Sequence, residues 1–258
     1  MKTLNALAMG ASLLGVCGCV SFVDSDLVYS CTFDSAEEIA SPEVGPAGEF
    51  RDLTLKEGHS GKALYVPAYK GVVRVPLANG LPTTKGSIEF WAKLTDPDRR
   101  FNIGADPFFY TIVPMDGERI SRSRSWVSVN ASNGSGASGF CLTHGRCWLA
   151  SRYRCSSDSY ASLFSNGDSK SWHHYRLVWN LDGIADDPKT AISLRVDGKE
   201  VASCPRGFKR IDPDFCDVLA VPSVLNFSIP FKGSDHDTNH SSYLIDDFKI
   251  WKTDKTCD

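Results

Sequence analysis

Few residues in this sequence stand at spacings that could do chemistry, and most such groups lack a partner that the chemistry requires. Cys141-Leu142-Thr143-His144-Gly145-Arg146-Cys147 places two thiols and an imidazole where zinc could use them. A structural zinc site takes four ligands, however, and oxidising surroundings favour disulfides over thiolates. Asp235-His236-Asp237 with His240 offers nitrogen and oxygen donors to a transition metal. Ser135 lies between Gly134 and Gly136, but within the polar run Asn130–Ser138, without the strand-to-helix setting of a nucleophile elbow. Glycoside hydrolysis needs two carboxylates flanking the scissile bond, and Glu89 stands alone on its strand between Ile88 and Phe90. No catalytic residue is assigned, and an enzyme is not expected.

The elements that must position any site read as strands. No long segment carries a helical period, whereas short alternating runs separated by Gly, Pro, Asn and Asp dominate. Strands are predicted at 27–33, 51–55, 63–66, 72–75, 87–94, 108–113, 126–129, 140–143 and 148–153, then at 174–179, 191–196, 225–229 and 243–251. About a dozen short strands without an intervening helix imply an all-β, two-sheet antiparallel sandwich. Alternation assigns the faces. Ile88, Phe90, Ala92 and Leu94 share one side of their strand, Tyr175, Leu177 and Trp179 of theirs, and Ile192, Leu194 and Val196 of theirs. Asp197-Gly198 is a strong hairpin turn. Trp91 and Arg176 fall on the opposite, non-core side, as does Trp126. An aromatic there could stack on a sugar while Arg and Glu hold hydroxyls or acidic groups, so Glu89, Trp91, Trp126 and Arg176 form the candidate carbohydrate platform. Burial of Trp91 under neighbouring loops is the competing reading.

With 258 residues, a formal charge of −3, 42% hydrophobic and 11% aromatic residues, the chain fits one large sandwich domain rather than a disordered or fibrous protein. Interspersed charges argue against a nucleic-acid surface, which needs a concentrated basic patch. Residues 1–18 read as a signal peptide: Lys2 is the positive start and Leu4 to Val16 an apolar stretch too short to span a bilayer. Val16-Cys17-Gly18-Cys19 resembles a bacterial lipobox, which would make Cys19 the lipidated N-terminus and place the protein at the cell envelope, facing an extracytoplasmic compartment. Ordinary cleavage near Gly18 or Ser21 is the alternative. Seven cysteines remain beyond Cys19, and in an oxidising compartment they should largely pair, with at least one left over. Cys204 and Cys216 flank a short loop with Pro205, Gly207 and Pro213 and are the first expected pair. Cys31 and Cys257, near chain ends that the fold would bring together, are the second. The pairing of Cys141, Cys147 and Cys155 stays open.

Six motifs then occur in order: Phe33-Asp34, Gly58-His59-Ser60-Gly61-Lys62-Ala63-Leu64, Ile88-Glu89-Phe90-Trp91, Trp172-His173-His174, Val196-Asp197-Gly198, and Ile245-Asp246-Asp247-Phe248-Lys249-Ile250-Trp251. Together, over residues 28–252, they resemble the laminin-G-like branch of the concanavalin-A-like lectin/glucanase superfamily, a jelly-roll sandwich. The domain would run over 27–258, and residues 95–170, which match poorly, read as a cysteine-bearing insertion where a specific function could sit. The resemblance implies a structural calcium held by Asp34, the Gly61 carbonyl and Asp247, hard oxygen donors that suit this ion. It makes Asp235–His240 a polar hairpin tip and His173-His174 a structural strand start. Two enzyme signatures of related folds are missing, Glu-x-Asp-x-x-Glu of the glucanases and the Arg-x-Glu-x-Arg and Gln-x-His strands of alginate-lyase-like jelly rolls. The resemblance thus implies a non-catalytic envelope module that binds a glycan or an extracellular protein, with no nucleic-acid partner. A divergent glycoside hydrolase or polysaccharide lyase, or a purely structural adhesion protein, are the alternatives.

Overall fold

In a computed structural model, residues 25–67, 71–77, 82, 84–95, 106–112, 127–131, 138–144, 147–152, 171–206, 224–228 and 242–254 are described. In chain order the strands are β1 (Leu27–Cys31), β2 (Glu49–Phe50), β3 (Leu55–Glu57), β4 (Lys62–Val66), β5 (Gly71–Pro76), β6 (Lys85–Leu94), β7 (Asp106–Ile112) and β8 (Val127–Ala131). They continue with β9 (Ser138–His144), β10 (Cys147–Arg152), β11 (His173–Asn180), β12 (Thr190–Val196), β13 (Lys199–Pro205), β14 (Val224–Ser228) and β15 (Tyr243–Trp251). One sheet has the order β13-β12-β11-β6-β15-β4-β3, with β1 also paired to β15; the other runs β10-β9-β8-β7-β14-β5-β2. Every pairing is antiparallel. The fold is therefore the expected all-β sandwich. Residues 95–170, expected as an insertion, supply β7 to β10, four of the seven strands of the second sheet.

Two local features differ from the sequence expectation. The strand expected at 51–55 is not formed as such, and only Leu55 is in a strand, as the start of β3: Asp52 takes a left-handed backbone conformation (φ 48°), which breaks the pleat between β2 and β3. A helix, α1 (Ala36–Ala40), stands where none was expected, capped by Ser35, whose hydroxyl accepts the Glu38 N–H at 3.1 Å. The Ser35-x-x-Glu38 spacing is a capping-box signal, and the Glu38 carboxylate in turn accepts the N–H groups of Thr32 and Asp34. Strand β13 completes the hairpin at Asp197-Gly198, where both residues adopt positive φ (49° and 76°), as a tight two-residue turn requires.

The inner faces meet as alternation dictates. Ile88, Phe90, Ala92, Tyr175, Leu177, Trp179, Ile192, Leu194 and Val196 are all buried. Phe90 stacks on Tyr175 (5.2 Å) and packs beside Phe248 (5.7 Å) in the first sheet. Phe227 of β14 meets Phe248 edge-on at 4.9 Å, so these rings bridge the two sheets. Each such ring is stabilised by roughly 1.5–3 kcal/mol through burial. Gly86 is required by this packing, since a Cβ there would come within 2.6 Å of the Trp179 ring. Among the described residues no helix is long and apolar enough to cross a membrane. The expected signal peptide and Cys19 lie outside the described residues.

Candidate functional site

The outer face of the first sheet carries polar and aromatic side chains in rows set by register. Trp91 of β6 lies between His174 of β11 and Asp246 of β15, and Glu89 lies between Arg176 and Lys249. The next row runs from Tyr65 of β4 through Leu244 to Lys93. Because Ala92 pairs with His173, the register brings Trp172 beside Lys93, and the Lys93 ammonium lies 4.9 Å from the Trp172 ring centre.

The turn between β3 and β4 reaches over this face. Asp246 is fully buried, and its Oδ2 accepts the backbone N–H groups of His59 at 2.8 Å and Ser60 at 3.1 Å. Its Oδ1 accepts the Asp247 N–H at 2.9 Å. Burial pushes the Asp246 carboxyl up to about 6, helped by the Asp247 charge and opposed by those N–H donors. Thus pinned, the turn lays the His59 imidazole flat on Trp91, with ring centres 3.7 Å apart and planes 9° apart. Trp172 meets His59 edge-on at 6.1 Å, and His174 leans on Trp91 at 5.1 Å. The result is an aromatic corner of His59, Trp91, Trp172 and His174, with His59 exposed.

The expected platform is redistributed by this geometry. Glu89, Trp91 and Arg176 do share one face, but Arg176 is only 6% exposed, so its guanidinium is not offered to solvent. The Glu89 side chain is 12% exposed and lies 3.9 Å from His174 Nε2. Burial holds His174 below the ordinary histidine value, with Glu89 pulling it upward. Trp91 is half-buried and one of its faces is already covered by His59. Trp126 lies outside the described residues, and the strand that starts at Val127 belongs to the other sheet. The open part of the face is therefore shifted to His59, Trp172 and Lys93. Sequence reasoning missed these because their meeting depends on a contact between residues 187 apart. The alternation of Trp91 with Lys93 was the signal available.

The paired histidines divide their roles. His173 is buried and its Nδ1 lies 2.6 Å from Asp197 Oδ2, while the His174 N–H donates to Asp197 Oδ1 at 2.9 Å. His173 thus anchors the β12–β13 hairpin, as expected of a structural residue, but the His174 ring joins the aromatic corner.

Of the calcium positions, Asp34 and Gly61 adjoin. Gly61 has φ 68°, and a Cβ there would collide with Asp34 Oδ1. Asp34 Oδ1 accepts the Lys62 N–H at 2.7 Å and its Oδ2 accepts the Thr32 hydroxyl at 3.0 Å. Pairing of Cys31 with Phe248 carries Asp247 alongside the segment leading to Asp34. Among the described residues no group of three or more His, Cys, Asp or Glu side chains is placed to hold a metal. An ion here would draw chiefly on Asp34 and backbone oxygens, and the turn already has hydrogen bonds as a brace. Cys31 carries a free thiol, turned into the core and pushed up to about 12 by burial and the Glu38 charge. Its expected partner Cys257 lies outside the described residues, as do Cys216, Cys155 and Asp235–His240.

No family model matches the chain, and no curated protein matches it. Among solved structures, the binding domain of botulinum neurotoxin serotype D is similar at 16% identity and TM-score 0.58, over 90% of this chain and 49% of that one. This chain spans about half the length of the neurotoxin domains it resembles. A serotype D ligand-binding domain in complex with N-acetylneuraminic acid is similar at 15% identity and TM-score 0.52, over 81% of this chain and 43% of that one. Domain 4 of a GH43 extracellular arabinanase from Geobacillus stearothermophilus, in complex with arabinotriose, is similar at 14% identity and TM-score 0.56, over 90% of this chain and 94% of that one. These similarities establish a shared β-sandwich fold.

Proposed function

We propose that the chain is a non-catalytic carbohydrate-binding module that engages sugar at the corner formed by His59, Trp91 and Trp172. The observation that carries this reading is the exposed imidazole stacked on Trp91 at 3.7 Å, with the Trp172 ring set against it. Rings of this kind, held in place by a buried carboxylate, present apolar faces at low entropic cost. Sugar complexes of two similar sandwiches, the serotype D domain and the arabinanase domain, support the ligand class, although fold alone does not fix function. The carboxylates support a non-catalytic role: Glu89 is largely covered beside His174 and Asp246 is buried under three N–H donors. Neither is set as the open acid–base pair that glycoside hydrolysis needs. The laminin-G-like motif order, display at a bacterial envelope through a lipid on Cys19, and a calcium brace at Asp34, Gly61 and Asp247 complete the proposal. The brace would stabilise the turn that carries His59.

Calorimetric titration of the full chain against a panel of neutral and acidic oligosaccharides tests the site. Trp172→Ala and His59→Ala should each weaken binding about tenfold, a loss of about 1.4 kcal/mol, while the melting temperature is retained. Binding undiminished in both variants would move the site elsewhere, and no binding across the panel would overturn the carbohydrate reading.

A further inference from the structure

The corner does not end at Trp172. Along the neighbouring row, two lysines each lie over an aromatic ring: Lys93 over Trp172 at 4.9 Å, and Lys56 over Tyr65 at 3.4 Å. The register Tyr65–Leu244–Lys93 puts Tyr65 and Lys93 on one outer row, and Lys56, which pairs with Ala63, reaches the Tyr65 ring from the adjacent row. Three interstrand steps separate β4 from β11 in that sheet, so the row spans roughly 14 Å at ~4.8 Å per step. Among the described residues neither lysine is paired with a carboxylate.

Carboxylates near the corner are held by protein groups, and Glu89 lies 3.9 Å from His174 Nε2. Asp246 is buried under backbone donors, Asp197 holds His173 and the His174 N–H, and Asp34 holds Thr32 and Lys62. Lysines resting on rings keep their ammonium groups fixed beside apolar faces. A sugar ring stacked in the corner would therefore meet the ammonium groups of Lys93 and Lys56 at its rim.

From this we infer that the ligand is an acidic glycan, one bearing carboxylate or sulfate groups that reach Lys93 and Lys56 while its rings lie on the aromatic corner. This rests on the carbohydrate reading above and narrows it to a charge class. Lysine suits both anions as a point charge, without the planar match that arginine gives, so the row need not discriminate between them.

The test compares matched ligands on the full chain. One arm uses oligogalacturonate against its methyl ester, which removes the carboxylate charge from the same backbone. A second uses sulfated carrageenan oligosaccharides against the same oligosaccharides after desulfation. The charged member of at least one arm should bind about tenfold or more tightly than its neutral counterpart at low salt, with the advantage shrinking as ionic strength rises. Lys93→Met and Lys56→Met keep the aliphatic stems and should abolish most of that advantage, whereas Lys93→Arg should retain it. Equal binding of charged and neutral members would overturn the acidic-glycan inference and leave the carbohydrate reading standing, as would a charge preference unchanged in the double methionine variant. Failure of every glycan to bind would remove both. Melting temperatures of the variants separate a lost contact from a lost fold, and Lys93→Gln serves if the methionine variant is unstable.

Discussion

Asp246 ties the strand β15 to the turn that places His59, and its titration gives a sharp test of that tie. The perturbation is Asp246→Asn, which keeps the shape and removes the titrating group. In the folded protein the carboxyl is pushed up to about 6 from an ordinary value of 3.8, because it is buried. Between pH 4 and 6 the folded chain therefore binds more protons at this position than the unfolded chain does. Stability supplied by the protonated group is fully present below about 3.8 and is lost as pH rises through 6. A displacement of this size corresponds to about 2–3 kcal/mol, at ~1.4 kcal/mol per pH unit. Asparagine does not titrate. Urea unfolding of both proteins at pH 4, 5, 6 and 7, followed by tryptophan fluorescence, should thus show the aspartate protein losing about 2–3 kcal/mol relative to the asparagine variant between pH 4 and 7. Taking the difference cancels the other titrating groups. A constant difference would refute the reasoning. A difference of opposite sign would mean that the N–H donors of His59, Ser60 and Asp247 outweigh burial and hold the carboxylate ionised.

Single contacts set the remaining expectations. Gly61→Ala should destabilise the protein by about 1–3 kcal/mol, since the residue sits at φ 68° against Asp34; an unchanged melting curve would show that the turn can relax. Cys19→Ser should release the protein from the membrane fraction into the soluble fraction, and unchanged partitioning would exclude the lipid anchor. Calcium added back to a chelator-treated sample should raise the melting temperature through the Asp34–Gly61 turn, and identical melts would leave the hydrogen bonds of Asp34 as the whole brace. His59→Ala should alter Trp91 emission without altering far-UV dichroism, because it removes a ring stacked at 3.7 Å and no sheet contact.

The sandwich and its two faces are written in local sequence. Period-2 alternation is a local property, so Ile88-Phe90-Ala92 and Tyr175-Leu177-Trp179 are assignable to the core without knowledge of any pairing, and all six are buried. Asp197-Gly198 is legible for the same reason, since its turn type depends only on two adjacent residues adopting positive φ. Helix α1 is also written locally, in Ser35-x-x-Glu38, though five residues are too few to show a helical period. The site, by contrast, exists only once the sheet has assembled. Alternation puts Glu89, Trp91 and Arg176 on one face, but their exposure depends on what the neighbouring strands and turn lay over them. His59 reaches Trp91 only because β4 pairs with β15, and β15 with β6, so that a buried carboxylate can grip a turn 187 residues away. The strip of Lys56, Tyr65, Lys93 and Trp172 likewise draws on four separate strands or their flanks, and strand order across a sheet is not encoded in any one of them.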